Sequence, residues 1–403
     1  MQPYKILFLT ADVGHGHLSI HQAIFSKFKE GLKEYLPNIQ LLELEITKEL
    51  APLKRFLSFG IYKFAVEWCP RLYHHFYRIT AEASPETFIN QHRKILSDSL
   101  QNKLMDLDPD MIVSTHPSGA AFASILKEDG LICPKVLMLT FVTDFATGNT
   151  YNADGIIVVP HENLKKTMEE TYGRQPGTTE VIPGLLPRAE FLQNFSRSEM
   201  RDKIRREILW ETGTTYNQHL PIFLAVGGGE GLRLSRLIEF LPKWEPSTPI
   251  VVPIITGKNG RLFQRIKKLM KKGLHPNLHV IPLGYKRNIH EYMKAADILI
   301  SKPGGATSGE TLALGLPQIV QDYIEGQEKL NLDFLVPIDV LYHLKDYHEL
   351  NNIVRILSIG EKIKQAQEIQ FPERRTAINQ IIPLFWKLYH QYPHRDTLLS
   401  NLD

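Results

Sequence analysis

The sequence predicts an α/β protein made of two doubly wound, Rossmann-like domains, and three observations carry that prediction. Short, wholly apolar runs are repeatedly followed by segments with helical periodicity, the pattern of a parallel sheet covered on both faces. Glycine-rich corners fall where an apolar run gives way to a helical segment. The length of 403 residues divides into two or three domains at about 150 residues each.

The first unit opens with Ile6-Leu7-Phe8-Leu9, the loop Asp12-Val13-Gly14-His15-Gly16-His17, and a helical pattern through Ala23, Ile24 and Phe28. Residues 110–117 and 135–143, the latter ending at Asp144, read as two more strand-to-loop units. Ligands of open parallel sheets gather at the carboxyl ends of the strands, and Asp12, His17, His116 and Asp144 fall there. Periodicity lapses between Pro183 and Pro221, and a domain boundary is expected within that stretch. A second series follows: strand 222–226, helix from Gly231, strand 250–256, basic helix 261–272, strand 278–281, helix 289–296, strand 298–301, helix from Ala306 and strand 318–321. The tail from Asp346 reads as largely helical, punctuated by Pro372, Pro383 and Pro393.

Composition narrows the function. Forty-seven basic against 44 acidic residues leave a formal charge of +3, too little for a protein that coats nucleic acid, so any basic surface is local. Cys69 and Cys133 are the only cysteines, which excludes a disulfide framework and a four-cysteine zinc site and suits a reducing compartment. The apolar stretch at residues 6–9 is too short for an export signal. No run of about 18 apolar residues offers a membrane span, so contact with a membrane would be at its surface.

Two corners suit a nucleotide diphosphate. Gly227-Gly228-Gly229-Glu230-Gly231 lets backbone amides approach a phosphate without interference from Cβ, and a helix N-terminus favours the negative charge. It is not a Walker A sequence, which argues against an ATPase. In Lys302-Pro303-Gly304-Gly305-Ala306-Thr307-Ser308-Gly309-Glu310, the glycines free the backbone, Thr307 and Ser308 supply hydroxyls, and Glu310 can accept both hydroxyls of a ribose. One loop later, Gln327 and Glu328 offer an amide and a carboxylate to a polyhydroxylated ligand. Asp106-Leu107-Asp108 has the letters of a metal-binding D-x-D pair but reads as a solvated turn, so no metal is expected. Residues 48–78 interleave Lys48, Lys54, Arg55, Lys63, Arg71 and Arg78 with aromatics that include Phe59, Trp68 and Phe76. That composition fits either an anionic lipid interface or a packed helix pair, and the membrane reading is preferred.

Taken in order, the 227–231 corner, Gly284-Tyr285 before Asn288-Ile289, the run from Asp297 to Gly305, and Gly326-Gln327-Glu328 resemble glycosyltransferase family 28. The likeness is strongest to the monogalactosyldiacylglycerol synthases and the processive diacylglycerol glucosyltransferases. The 12–17 loop, Ser114-Thr115-His116-Pro117, Val142-Thr143-Asp144 and the segment Pro183 to Phe191 resemble the family's N-terminal motifs, so the likeness spans roughly residues 5–334. Leu18 after His17 and Phe145-Ala146-Thr147-Gly148-Asn149 after Asp144 depart from the family pattern, both on the acceptor side.

The resemblance implies a GT-B fold whose two domains face each other across a cleft. The acceptor- and membrane-binding domain would cover residues 1–190, a linker 191–220, the UDP-sugar domain 221–345 and a helical tail 346–403. It implies inverting transfer of a hexose from a UDP-sugar to diacylglycerol or a related lipid alcohol, with no cofactor beyond the donor. Gly227, Gly228 and Gly229 would line the donor phosphates, the backbone near Tyr285 the uracil, Lys302 and the turn Gly304-Gly305-Ala306-Thr307 the diphosphate, Glu310 the ribose, and Gln327 with Glu328 the sugar. Asp12 or His17 would be the catalytic base, Asp12 preferred for its place at the carboxyl end of the first strand with His17 adjacent, and His15, His116 and Asp144 would lie on the acceptor side. The expected partners are a UDP-hexose, the lipid and an anionic membrane, not nucleic acid, and the expected place is the cytoplasm, peripheral on the inner face of a membrane. Other readings of the same corners are a soluble UDP-sugar enzyme such as an epimerase and a non-catalytic UDP-sugar-binding scaffold.

Overall fold

A computed structural model of the chain describes residues 3–12, 15–35, 38–52, 56, 83–228, 231 and 233–392. The chain divides into two compact units. One holds the chain up to Arg188, Glu325–Gln327 and the tail from Glu373; the other holds Ala189–Ile324 and Glu328–Pro372.

The first unit contains β1 (Tyr4–Thr10), α1 (His15–Gly31), β2 (Ile39–Glu45), α2 (Pro85–Ile95), α3 (Asp98–Leu107), β3 (Met111–Ser114), α4 (Pro117–Glu128), β4 (Leu137–Phe141), β5 (Ile156–Val159) and β6 (Thr179–Val181). Its six strands are parallel in the order β2-β1-β3-β4-β5-β6. The order reverses at β1 and β3, and a crevice opens beyond the carboxyl ends of the strands at such a point. The helices start where the chemistry dictates. Ser84 and Ser97 accept the N–H groups of Thr87 and Leu100 at the starts of α2 and α3, and Asp108 ends α3 in the left-handed conformation at φ 43°. The D-x-D sequence is therefore a helix C-cap.

The second unit contains α5 (Arg197–Thr212), β7 (Phe223–Val226), α6 (Ser235–Phe240), β8 (Ile250–Ile255), α7 (Gly260–Lys271), β9 (Leu278–Leu283), α8 (Ile289–Ala295), β10 (Ile298–Ser301), α9 (Gly305–Leu314), β11 (Gln318–Val320), α10 (Gln327–Leu335), β12 (Tyr342–His343) and α11 (Ile353–Gln370). Its order β12-β11-β10-β7-β8-β9 is the dinucleotide-fold order 3-2-1-4-5-6, with the switch between β7 and β10. Trp244, wholly buried, donates its indole N–H to the Leu350 carbonyl at 3.1 Å.

Three expectations need correction. The stretch 191–220 is built into the second unit rather than linking: Ile204 and Ile208 of α5 are buried against Phe191, Ile222 and Leu224. The tail from 346 is not one piece. Its first helix, α11, packs Ile353 and Ile356 into the core of the second unit. Its last, α12 (Ile381–Gln391), packs on α1, where Phe385 meets Phe28 at 5.6 Å and Gly31 lets Ile382 approach. The helix expected from Gly231 begins at Ser235, because Gly231 and Arg233 both sit near φ +66° and cannot continue a right-handed helix.

Gly155 turns the chain into β5 at φ +88°, and a Cβ there would lie 2.3 Å from the Met138 carbonyl oxygen; Gly130, at φ +69°, faces open space. Gly155→Ala is expected to cost about 3 kcal/mol or more and Gly130→Ala about 1 kcal/mol, read as urea midpoints.

Candidate functional site

In the first unit the loops after β1, β3 and β4 converge on His17. Asp12, just beyond β1, is exposed, and its backbone N–H donates to Glu45 Oε1 at 3.2 Å. His17 lies in the first turn of α1 with its Nδ1 2.9 Å from the Thr115 carbonyl oxygen. A carbonyl only accepts, so Nδ1 carries the proton and Nε2 keeps its lone pair. Thr143 Oγ1 lies 3.0 Å from the same nitrogen and 2.8 Å from the Tyr151 hydroxyl. It can take a share of the His17 proton while donating its own. One face of the ring is thereby fixed, and the free nitrogen is directed away from Thr115.

Behind His17 stands a second histidine. The rings of His17 and His116 meet edge to face at 4.6 Å. His116 caps α4, its Nδ1 accepting the Ser118 N–H at 3.1 Å. The Ser118 hydroxyl donates to His92 Nε2 at 2.8 Å, while His92 Nδ1 donates to the Phe88 carbonyl at 2.8 Å. Burial pushes the pKa values of His17, His92 and His116 down, His116 furthest because the other two imidazoles also oppose its charge. The cluster is a set of neutral imidazoles with fixed tautomers. Asp144, the residue after Thr143, is buried. His15 lies in the first turn of α1. One turn along α1 from His17, Ile20 joins Phe141, Val142, Val158, Ile182 and Leu185 around a small apolar cavity.

In the second unit the corners after β7 and β10 meet at the switch point. Gly228 sits at φ +71°, and a Cβ there would lie 3.9 Å from Lys302 Cε. Gly229 lies outside the described residues. Gly304 begins α9 without a side-chain cap, so the amides of Gly305, Ala306 and Thr307 at the helix start are placed to receive an anion. The turn is braced from beneath: Gln318 Nε2 donates to Ser301 Oγ and to the Lys302 carbonyl, each at 3.0 Å, and Asn331 Nδ2 donates to the Pro303 carbonyl at 3.0 Å. Glu310 is buried in the second turn of α9. Tyr285 is exposed, with Lys258 Nζ 5.9 Å from its ring centre.

Glu328 has a role the sequence did not suggest. It forms an ion pair with Lys302 and accepts the Ile324 N–H at 2.7 Å; Gln327 beside it opens α10. Two further residues at this corner were missed. Arg233 reaches Asp322 at 3.8 Å and lines a cavity with Ser301, Lys302 and Gln321. The available signal was an arginine two residues beyond the glycine cluster. Phe59, Trp68 and Phe76 lie outside the described residues, where Phe56 alone of residues 53–82 is described, and it is exposed. No helix among the described residues is long and apolar enough to cross a membrane.

Residues 17–182 match the family model of monogalactosyldiacylglycerol (MGDG) synthase, and residues 222–330 match the glycosyltransferase family 28 C-terminal domain. The chain is 26% identical over 364 residues to the chloroplastic monogalactosyldiacylglycerol synthase of Spinacia oleracea, covering 87% of this chain and 66% of the relative. It is 29% identical to a probable chloroplastic synthase of Nicotiana tabacum, covering 87% and 64%; the chain thus spans just under two thirds of these plant relatives. A processive diacylglycerol beta-glucosyltransferase of Bacillus pumilus is 24% identical, with 90% of this chain and 89% of the relative covered. Among solved structures, MurG of Acinetobacter baumannii superposes with a TM-score of 0.55 at 14% identity, covering 96% of this chain and all of that one. Anabaena HepE in complex with UDP-glucose gives 0.51 at 14% identity, covering 95% and 99%. The two parallel sheets are those of the GT-B fold.

A fourth histidine allows a direct test of how burial sets these groups. His161 caps the helix at Glu162–Lys166 through Nδ1, donates from Nε2 to the Phe145 carbonyl at 2.6 Å, and is pushed by burial from its ordinary 6.5 to about 4. Between those values the unfolded chain binds the proton and the folded one does not, so this group makes stability fall as pH drops through that window. His161→Asn keeps a cap without a titrating ring. Its melting temperature is expected to depend less on pH between 6.5 and 4 than that of the parent, as followed by circular dichroism.

Proposed function

From the premise that the chain belongs with the family 28 glycosyltransferases, as its two matched regions say, we propose that it moves a hexose from a UDP-sugar to the free hydroxyl of diacylglycerol or a related lipid alcohol. Transfer would invert the anomeric centre and occur at the inner face of a membrane. The observation that carries this reading is the tautomer of His17. An alcohol is a weak nucleophile at neutral pH, and a neutral imidazole whose lone pair is held ready on Nε2 is the base it needs.

On this reading the lipid oxygen attacks the anomeric carbon as its proton passes to His17 Nε2, and the bond from that carbon to the UDP oxygen breaks. The departing diphosphate gains negative charge, which the amides of Gly305, Ala306 and Thr307 and the Lys302 ammonium would receive. Glu328 keeps Lys302 at the corner. Buried Glu310 is assigned to the ribose. Asp12 is assigned to orienting the acceptor rather than to proton abstraction, because no hydrogen bond from a described residue fixes its exposed side chain.

His17→Ala is expected to lower kcat by about 10²–10⁴-fold, and Asp12→Asn by less, measured by mass spectrometry of product from UDP-hexose and diacylglycerol. The reverse ranking would move the base to Asp12. Because burial lowers the His17 pKa, the acidic limb of the kcat profile is expected below the ordinary histidine range. Glu310→Ala is expected to weaken UDP binding in calorimetry by about tenfold or more, the loss of a buried charged hydrogen-bonding partner. Normal affinity would overturn the ribose assignment, and UDP binding without any lipid product would favour a scaffold.

A further inference from the structure

α7 of the second unit is the most strongly basic element among the described residues. It carries Arg261, Arg265, Lys267, Lys268 and Lys271 and no acid, and Lys272 caps its C-terminal end. Leu262 and Ile266 are buried in the core and Leu269 packs against it, whereas all six cations are exposed. Arg261, Arg265, Lys268 and Lys272 follow the i, i+4, i+7, i+11 spacing that puts residues on one face. Lys271 and Lys267 widen that row. Arg265 pairs with Glu239 at 3.2 Å; the other five cations have no acidic partner among the described residues. Along one edge lie Met270, 37% exposed, and the half-buried Phe263, with Lys267 Nζ 4.9 Å from its ring centre. A helix of this length is about 18 Å long.

We propose that this face of α7 docks on an anionic lipid bilayer, a contact separate from residues 48–78 and carried wholly by the second unit. Charge complementarity is the argument: a convex ridge of lysines and arginines with one apolar edge meets a plane of anionic head groups without needing a groove, and each nearby cation strengthens the association. A nucleic acid would call for exposed rings to stack on or donors converging on base edges, and α7 offers neither. The inference rests on the reading above only in preferring a membrane to another polyanion.

The test is sedimentation of the full chain with vesicles of phosphatidylcholine alone or mixed with phosphatidylglycerol. The parent protein is expected to favour the mixed vesicles and to leave them as salt is raised. The triple variant Lys268→Gln, Lys271→Gln, Lys272→Gln, at exposed positions where glutamine suits a helix, is expected to bind mixed vesicles about tenfold less or weaker. A control carrying Lys243→Gln, Lys345→Gln and Lys362→Gln, with the same change in net charge, is expected to bind as the parent does. Equal binding by the α7 triple, equal loss by the control, or binding of single-stranded RNA in place of mixed vesicles would overturn the proposal. Transfer to short-chain diacylglycerol in detergent separates the two readings. An α7 triple that fails on mixed vesicles but turns over the detergent acceptor normally supports both. A parent that sediments with vesicles but makes no glycolipid supports the docking face and counts against the transferase.

Discussion

The hydrogen bond from His17 Nδ1 to the Thr115 carbonyl is the constraint on which the arrangement of histidines in the first unit depends. It joins the start of α1 to the end of β3 across the point where strand order reverses, so the topology of the sheet decides which nitrogen of the ring is free. Thr143, just beyond β4, meets the same nitrogen, and the Tyr151 hydroxyl in turn holds the Thr143 hydroxyl. A ring gripped this way cannot flip without breaking its bonds to the two loops that carry Thr115 and Thr143. His116 and His92 extend the arrangement inward, and because burial keeps them neutral they pack against His17 without setting a charge beside it. A charged neighbour would have depressed the basicity of His17 further.

The second unit solves the opposite electrostatic problem with backbone. Two glycine corners reach the same switch point, and between them stand the uncapped start of α9 and Lys302. Leaving α9 without a side-chain cap costs some helix stability but keeps its first amides for a ligand. The turn holds its shape because Gln318 and Asn331 hydrogen-bond its carbonyls from below. The Lys302–Glu328 pair balances the charge of an ammonium beside the α9 N-terminus with a carboxylate that the Ile324 amide also holds.

The architecture was legible because buried parallel strands are apolar on both faces. Runs such as 111–114 and 298–301 announce themselves, and each is followed by the loop that carries chemistry. The edge strand β2, Ile39–Glu45, was not legible: it mixes buried, half-buried and exposed positions and carries Glu43 and Glu45, so it lacks a continuous apolar signal. The start of α6 was misplaced because the left-handed conformation of Arg233 is a property of the folded corner rather than of arginine. The fate of residues 346–392 was hidden for a related reason. A helical pattern tells which face is apolar, not which sheet it will cover, and the tail serves both units in turn. At the sites, residue types marked Glu310, Asp12 and His17 as candidates and favoured Asp12 by its place after β1; the proposal of His17 instead rests on the acceptor atoms around one ring nitrogen.

Net charge concealed the other feature that matters. A balance of +3 is what remains when cations and anions are counted without regard to place, and elsewhere in the second unit they are largely paired: Arg201 with Asp297, Lys203 with Glu291, and Lys286 with Glu207 and Glu211. Against that background the unpaired cations of α7 are a local field rather than a share of the average. Such a field is felt within a Debye length, about 8 Å at physiological ionic strength, so it acts only on a surface the helix nearly touches. A ridge with that reach contributes little to long-range steering and much to contact, which is the behaviour a protein at a lipid surface requires.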